Sequence, residues 1–366
     1  MKKAVFVLML FMFSIMGKQM VYAQAGEAAV PFLLIAPGAR NGGMGEAGVA
    51  LVNDATAAYW NPAGLAYQYE NPELDNRNQI TLMHAKWLPQ FNFSDLYYDY
   101  GAARFYVEDI GMLGASITYL NLGKNEYRDE NNADLGTFQS FEYAVALSYA
   151  TLLKPNLSIG VNAKLIQSNL APSNVKVGQE TGEGTATSFA VDVGVLWYPQ
   201  YSIFDNRLAL GANLANFGPA VTYIDKKQAD PLPTNLRMGL AYTVFDDDFN
   251  KIKVIYDTNR LLVYRDKDEG ADGVLEAVFY SSWVKGSIED RLKRFTHSIG
   301  MEYSYGGLIA LRTGYFYEDE SAGDRKFLTF GAGIGFNIFD IDFSYISASE
   351  DHPLSDTMRF SLGVGF

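Results

Sequence analysis

The stretch that most suggests chemistry is Gly43-Met-Gly45-Glu-Ala-Gly48, which spells G-x-G-x-x-G after the apolar run Phe32 to Ala36, with Glu70 about twenty residues further on. In a dinucleotide site such glycines let a strand turn sharply into a helix. The helix N-terminus then meets a pyrophosphate and the distal acid meets a ribose. That chemistry needs a βαβ unit, and no strand–helix alternation follows. No cofactor is therefore expected, and the glycines read as positions of close backbone packing.

The remaining reactive residue types are as sparse. His84, His297 and His352 are scattered, and none has a second histidine or a carboxylate at ligand or catalytic spacing, so they read as structural and no metal is expected. There is no cysteine, which removes disulfides and thiolate sites. No G-x-S-x-G or comparable motif is present, so no catalytic residue is assigned and the chain is not read as an enzyme. Acidic runs at Asp246-Asp247-Asp248, Asp266 to Glu269 and Glu318-Asp319-Glu320 suit cations that bridge lipopolysaccharide, but solvated loop tips explain them more simply. With 29 basic against 42 acidic residues the net charge is −13, and removing a leader that carries Lys2, Lys3 and Lys18 makes it more acidic. Nucleic acid is excluded as a partner.

The elements that would hold any site are mostly strands. Lys2 and Lys3, the apolar run Ala4 to Met16 and the small residue Ala23 predict a secretory signal peptide over 1–23. No later apolar run reaches the ~20 residues of a spanning helix. From Gln79 onward apolar and polar residues alternate, most plainly in Met358, Phe360, Leu362, Val364 and Phe366. Fourteen strands are predicted near 79–88, 96–107, 111–122, 137–150, 157–170, 185–198, 206–218, 234–244, 250–264, 295–305, 308–318, 326–337, 340–349 and 358–366. Connections after odd strands are mostly long and those after even strands short. A membrane barrel sorts its loops in this way, and a soluble sandwich has no reason to. The pattern predicts an all-β fold, a 14-stranded antiparallel transmembrane β-barrel at 79–366. A glycine-rich segment without alternation, 24–78, precedes it as a plug in the lumen.

Residues Asn53 to Ala66, NDATAAYWNPAGLA, resemble the N-terminal box of FadL-like outer-membrane proteins, and PFLLIAPGARNGGMGEAGVA before it resembles the PorV/PorQ branch, although Gly38 stands where that branch carries an acidic residue. The resemblance implies a FadL-like barrel in the outer membrane, bathed in membrane lipids and lipopolysaccharide. It also implies a role in type IX secretion of Bacteroidetes-type bacteria. The implied partners are the translocon barrel, the C-terminal signal domains of cargo and the proteins of the surface attachment complex, to which a PorV-like shuttle would hand cargo. The alternative is a FadL-type transporter of hydrophobic small molecules.

Three sets of site residues follow. In the plug box, Asp54 is expected to cap a helix that Pro62 ends, with Asn61 bonding the freed backbone beside Ala63. In the loop 265–294, Val274, Leu275, Val278, Phe279 and Trp283 have helical spacing, and Val278, Phe279 and Trp283 are expected at a partner contact. At the C-terminus, Phe366 is expected to serve as the assembly signal, by family resemblance.

Overall fold

The computed structural model describes residues 28–68 and 78–366, apart from 92, 94, 129–133, 173–174, 178–179, 183, 202–203, 205–206, 224–228, 267–269 and 351. The expected signal peptide and Glu70 lie outside the described residues.

Fourteen strands close into one antiparallel barrel in sequence order, with the first paired to the last. They are β1 Gln79–Lys86, β2 Leu96–Val107, β3 Gly111–Arg128, β4 Asp134–Lys154, β5 Leu157–Asn169, β6 Thr185–Trp197 and β7 Leu208–Phe217. Then come β8 Asn235–Asp246, β9 Asn250–Leu261, β10 Phe295–Tyr305, β11 Ile309–Tyr317, β12 Lys326–Phe336, β13 Phe339–Ser347 and β14 Met358–Gly365. The expected strand order is found, with one extension. Much of the expected loop 123–136 is ladder, because β3 and β4 stay paired through Lys124↔Gln139 and Glu126↔Thr137 to Arg128↔Asp134, past two register shifts. Polar alternation there reads as a loop in sequence, yet it suits a ribbon standing in water on both faces.

Most of the wall keeps period 2, interrupted at a few bulges, but the sense is inverted relative to a soluble protein. Leu82, Ile117, Leu147, Ile299, Phe330, Ile341 and Phe360 point out and are exposed, while Asn162, Asp192, Asn213, Asp257 and Arg359 point in and are buried. So continuous an apolar exterior suits lipid, and the closed ladder leaves no open sheet edge within it. Outward rings gather at both rims. At the outer, long-loop rim Tyr97 meets Tyr119 at 6.1 Å, Tyr119 meets Phe141 at 6.1 Å, and His297 meets Tyr317 at 6.4 Å. At the inner rim Phe105 meets Phe366 at 6.5 Å and Phe249 meets Tyr305 at 6.1 Å. On β10 the girdles are set by His297 and Tyr305. Eight residues at ~3.3 Å each, tilted by about 40°, give roughly 20 Å, close to the ~25 Å apolar band of an outer-membrane barrel.

The lumen holds the N-terminal segment. Short helical turns at Pro31–Leu34, Ala39–Gly42, Ala57–Trp60 and Pro62–Tyr67 form a compact plug whose residues Ala39, Met44, Ala47, Ala55, Ala63 and Leu65 are fully buried. The wall makes room with glycine. A Cβ on Gly314 would lie 2.1 Å from the amide nitrogen of Gly45, and one on Gly194 would lie 2.1 Å from Oδ1 of Asn61.

Candidate functional site

The plug is bonded to strands on every side of the barrel. Asp257 of β9 accepts from the amides of Gly48 and Val49 at 2.6 and 2.9 Å. Thr329 of β12 accepts from Gly45 at 2.7 Å, Ser361 of β14 from Ala39 at 2.9 Å, and Gln79 of β1 from Ala55 at 2.8 Å. In the other direction, Asn162 of β5 donates to Ala58 O at 2.7 Å and Asn213 of β7 to Trp60 O at 3.1 Å. The G-x-G-x-x-G amides are therefore spoken for: those of Gly45 and Gly48 bond to the wall, and the glycines open no helix toward a phosphate. These latches come from single inward polar residues on alternating strands, which sequence cannot tell apart from lumen lining.

The expected box residues meet in this plug. Asn61 is fully buried, donates to Val49 O and Val195 O at 3.0 Å each, and accepts from the Ala63 amide at 3.2 Å. It caps the turn Pro62–Tyr67, where Pro62 at the first position needs no amide partner. Ala63 O accepts from Ser158 of β5 at 2.8 Å. Asp54 does not take the cap position expected of it. The N-cap of Ala57–Trp60 is Thr56, and Asp54 closes an Asx turn by accepting from the Thr56 amide at 2.8 Å. The helix is a single turn, so the acid two residues earlier binds the turn that leads into it.

Charge is paired inside. Arg40 of the plug holds Glu302 of β10 through two bonds of 2.8 Å; Glu302 also accepts from Arg312 at 2.8 Å, and Arg312 reaches Asp342 at 2.5 Å. Burial opposes the Arg40 charge, but the Glu302 carboxylate outweighs it and holds Arg40 above its ordinary range. Tyr59 donates to Leu33 O at 3.2 Å and accepts from Arg237 at 2.9 Å. Burial pushes its phenol up, against the pull of Arg237, so the proton stays on.

A cavity lies on each side of the plug. The inner one is about 270 Å³, and its lining carries the charged residues Arg40, Asp54, Arg104, Lys253, Glu302 and Asp340. The outer one is about 950 Å³ and mostly apolar. Its floor is Val30 to Ile35, its walls include Trp87, Leu88, Leu120, Leu122 and Leu354, and Glu142, Arg325 and His352 are its polar points. The Pro-Phe-Leu-Leu-Ile opening that marks the sequence thus forms the base of an apolar bowl facing outward.

The histidines lie apart. His352 at the bowl is pushed below its ordinary value by burial and then by Arg325, and its Nδ1 accepts from the Leu354 amide at 3.1 Å. His84 lies on the outer wall 2.6 Å from Asp99, a partner on the next strand that linear spacing could not reveal, and His297 bonds Tyr256 at 2.7 Å. Among the described residues no group of three or more such side chains is placed to hold a metal.

In the loop between β9 and β10 a helical run, Val274–Glu276, Ala277–Ser281 and Ser282–Val284, turns back through Ile288–Lys293. Its helical spacing was legible. Val278 is buried and Trp283 half-buried, whereas Phe279 is among the most exposed apolar residues described. The three expected contact residues therefore do not share one face. Phe366 ends the chain beside Phe105, with its amide and carbonyl bonded to Asn78 at 2.9 and 3.1 Å.

Comparison with solved structures places the fold. The crystal structure of the Pseudomonas putida toluene transporter TodX is 13% identical, with 89% of this chain and 96% of that one covered at a TM-score of 0.53. A TodX monoaromatic hydrocarbon channel mutant, deltaS2S3, is 12% identical over 90% and 97% at 0.51. A Pseudomonas aeruginosa FadL homologue is 12% identical over 89% and 97% at 0.44. At these identities the likeness to the two TodX structures is one of fold alone. No curated protein sequence matches. A sequence model of the family described as type IX secretion system protein PorV matches residues 19–268, more than half of the chain and all of the described plug. A plugged fourteen-stranded barrel that carries this N-terminal sequence is an outer-membrane component of type IX secretion, and the chain belongs to the PorV family.

Proposed function

We propose that this barrel is a non-catalytic receptor of the type IX system, which binds the translocon barrel, takes exported proteins by their C-terminal signal domains at its outer bowl, and passes them to the attachment complex. The observation that carries the reading is a one-sided site. An apolar cavity of about 950 Å³ opens outward, and beneath it the plug is hydrogen-bonded to the wall all round. Such a bowl suits the apolar side chains of a folded domain's edge or tail. The plug box acts from beneath that floor: Asn61, Pro62 and Ala63 hold the segment against the wall, and Asp54 lines the inner cavity.

The second reading, transport of hydrophobic small molecules, is favoured by the apolar lining. It requires the plug to part from Asp257, Thr329 and Asn162 to join the outer bowl to the inner cavity. Purification from native membranes in mild detergent separates the two. Co-purification of a large barrel or of signal domains is expected, and substituting Leu122→Trp to fill the bowl should reduce signal-domain recovery while translocon recovery holds. A lone barrel carrying a lipid-like molecule, with unchanged recovery in the variant, would favour transport.

A further inference from the structure

The helical hairpin between β9 and β10 does not cover the barrel mouth. Its inner side rests on the outside of the wall. On β9, Asp257 reaches the plug, so Arg260 three positions on faces outward; on β10, Glu302 reaches the plug, so Phe295 faces outward as well. Arg260 and Phe295 are cross-strand partners. The Arg260 guanidinium lies 4.6 Å from the Trp283 ring and 4.8 Å from that of Phe295, and it donates to the carbonyls of Ser282 and Arg291. Arg260 is thereby 2% exposed although it points away from the lumen. The hairpin has been laid over it.

With that side turned to the wall, the opposite side shows Leu275, Phe279, Tyr280, Val284, Ile288 and Leu292, each 50–73% exposed. In water, so much clustered apolar area is unfavourable at ~25 cal/mol per Å². What lies below decides what covers it. Two residues down β10 from Phe295, roughly 6 Å along the strand, His297 stacks between Tyr256 and Tyr317 in the outer girdle. Ile299 and Met301 then continue the lipid-facing wall. The apolar side of the hairpin begins where the lipid belt ends.

We propose that this hairpin is an interfacial membrane anchor whose apolar side lies among the acyl chains of the outer leaflet. Lipid is the occupant that fits, because the surface runs on from the lipid belt without a break. Beside it, Glu289 and Lys293 pair at 2.7 Å and supply a polar edge for the headgroup layer. The inference does not depend on the cargo reading. It gives the barrel a fixed seat in the membrane whichever partners it meets.

The absence of cysteine makes the test clean. Phe279→Cys and Ile288→Cys each carry one environment-sensitive fluorophore. Ile299→Cys on the belt and Glu320→Cys on an outer loop serve as the lipid and water references. Each folded barrel, checked by heat-modifiable migration, is placed in phosphatidylethanolamine–phosphatidylglycerol vesicles containing lipids spin-labelled high on the acyl chain. Quenching of the Phe279 and Ile288 labels should be several-fold stronger than at Glu320 and comparable to Ile299, and iodide should quench in the opposite order. Labels that behave like Glu320 in lipid alone overturn the proposal. The same holds if they become shielded only when a translocon-containing extract is added, since that outcome assigns the surface to a protein partner.

Discussion

At Asn61 one amide joins three parts of the molecule: the plug's bend at Val49, the wall at Val195, and its own turn at Ala63. Asn61→Ala leaves two carbonyls and one amide without that partner in a site with no water access, at about 1 kcal/mol or more each. A loss of about 2–4 kcal/mol in the local opening free energy of the plug is expected, seen as faster hydrogen exchange over residues 49–66 with barrel amides unchanged. Glu302→Ala acts differently. It strands Arg40 and Arg312, both little exposed, without their shared carboxylate. Removing one member of a buried ion pair costs about 3–5 kcal/mol, so urea unfolding should shift by that order. Restoring an acid with Glu302→Asp should recover part of it. The two sites differed in legibility. Asn61-Pro62-Ala63 works over two residues and its turn chemistry was readable. Glu302 and Asp257 find their partners 262 and 209 residues away, and nothing along an alternating strand marks which inward polar residue will meet the plug.

Among the elements, the plug and the hairpin are the two that break the strand period, and both stood out in sequence for that reason. What each packs against did not. Removing residues 31–66 should leave a barrel that inserts but conducts, because the fourteen-stranded ladder closes without the plug. Planar-bilayer currents test this, and a truncated barrel as silent as the full chain would refute it. The hairpin has a pH-sensitive seat. Asp272 accepts from Ser281 and from Lys285, the latter at 2.9 Å. Burial raises its carboxyl, but the Ser281 and Lys285 bonds outweigh this and hold it below its ordinary value. A folded value below the unfolded one contributes stability above the ordinary carboxylate range, ~3.9, and that contribution is lost as pH falls through the depressed value. Acidification below about pH 4 should therefore release the hairpin before the barrel unfolds. Trp283 emission would report the release, and Asp272→Asn should weaken that pH response. Strand β3 was the element least well bounded by sequence. Its outer third has polar residues on both faces, which period 2 alone assigns to a loop.

For the molecule as a whole, assembly depends on the seam between β1 and β14, where Gln79 meets Gly365 and Phe366 bonds Asn78. Deleting Phe366 removes both backbone bonds and the ring beside Phe105. The yield of heat-modifiable, membrane-extracted barrel should fall severalfold, and a normal yield would refute an assembly role. That seam imposes an order of events. The plug directly precedes β1, and it is held by residues as far along the chain as Ser361 on β14. With Gly314 and Gly194 pressed to its backbone, it fits the lumen too closely to be threaded through a finished cylinder. The plug, made before any strand, must wait, tucked against a half-built wall, until the last strand arrives and shuts the door behind it. A barrel that closes early locks its plug outside, and such a misassembled species would be a kinetic dead end that only reopening the β1–β14 seam could rescue.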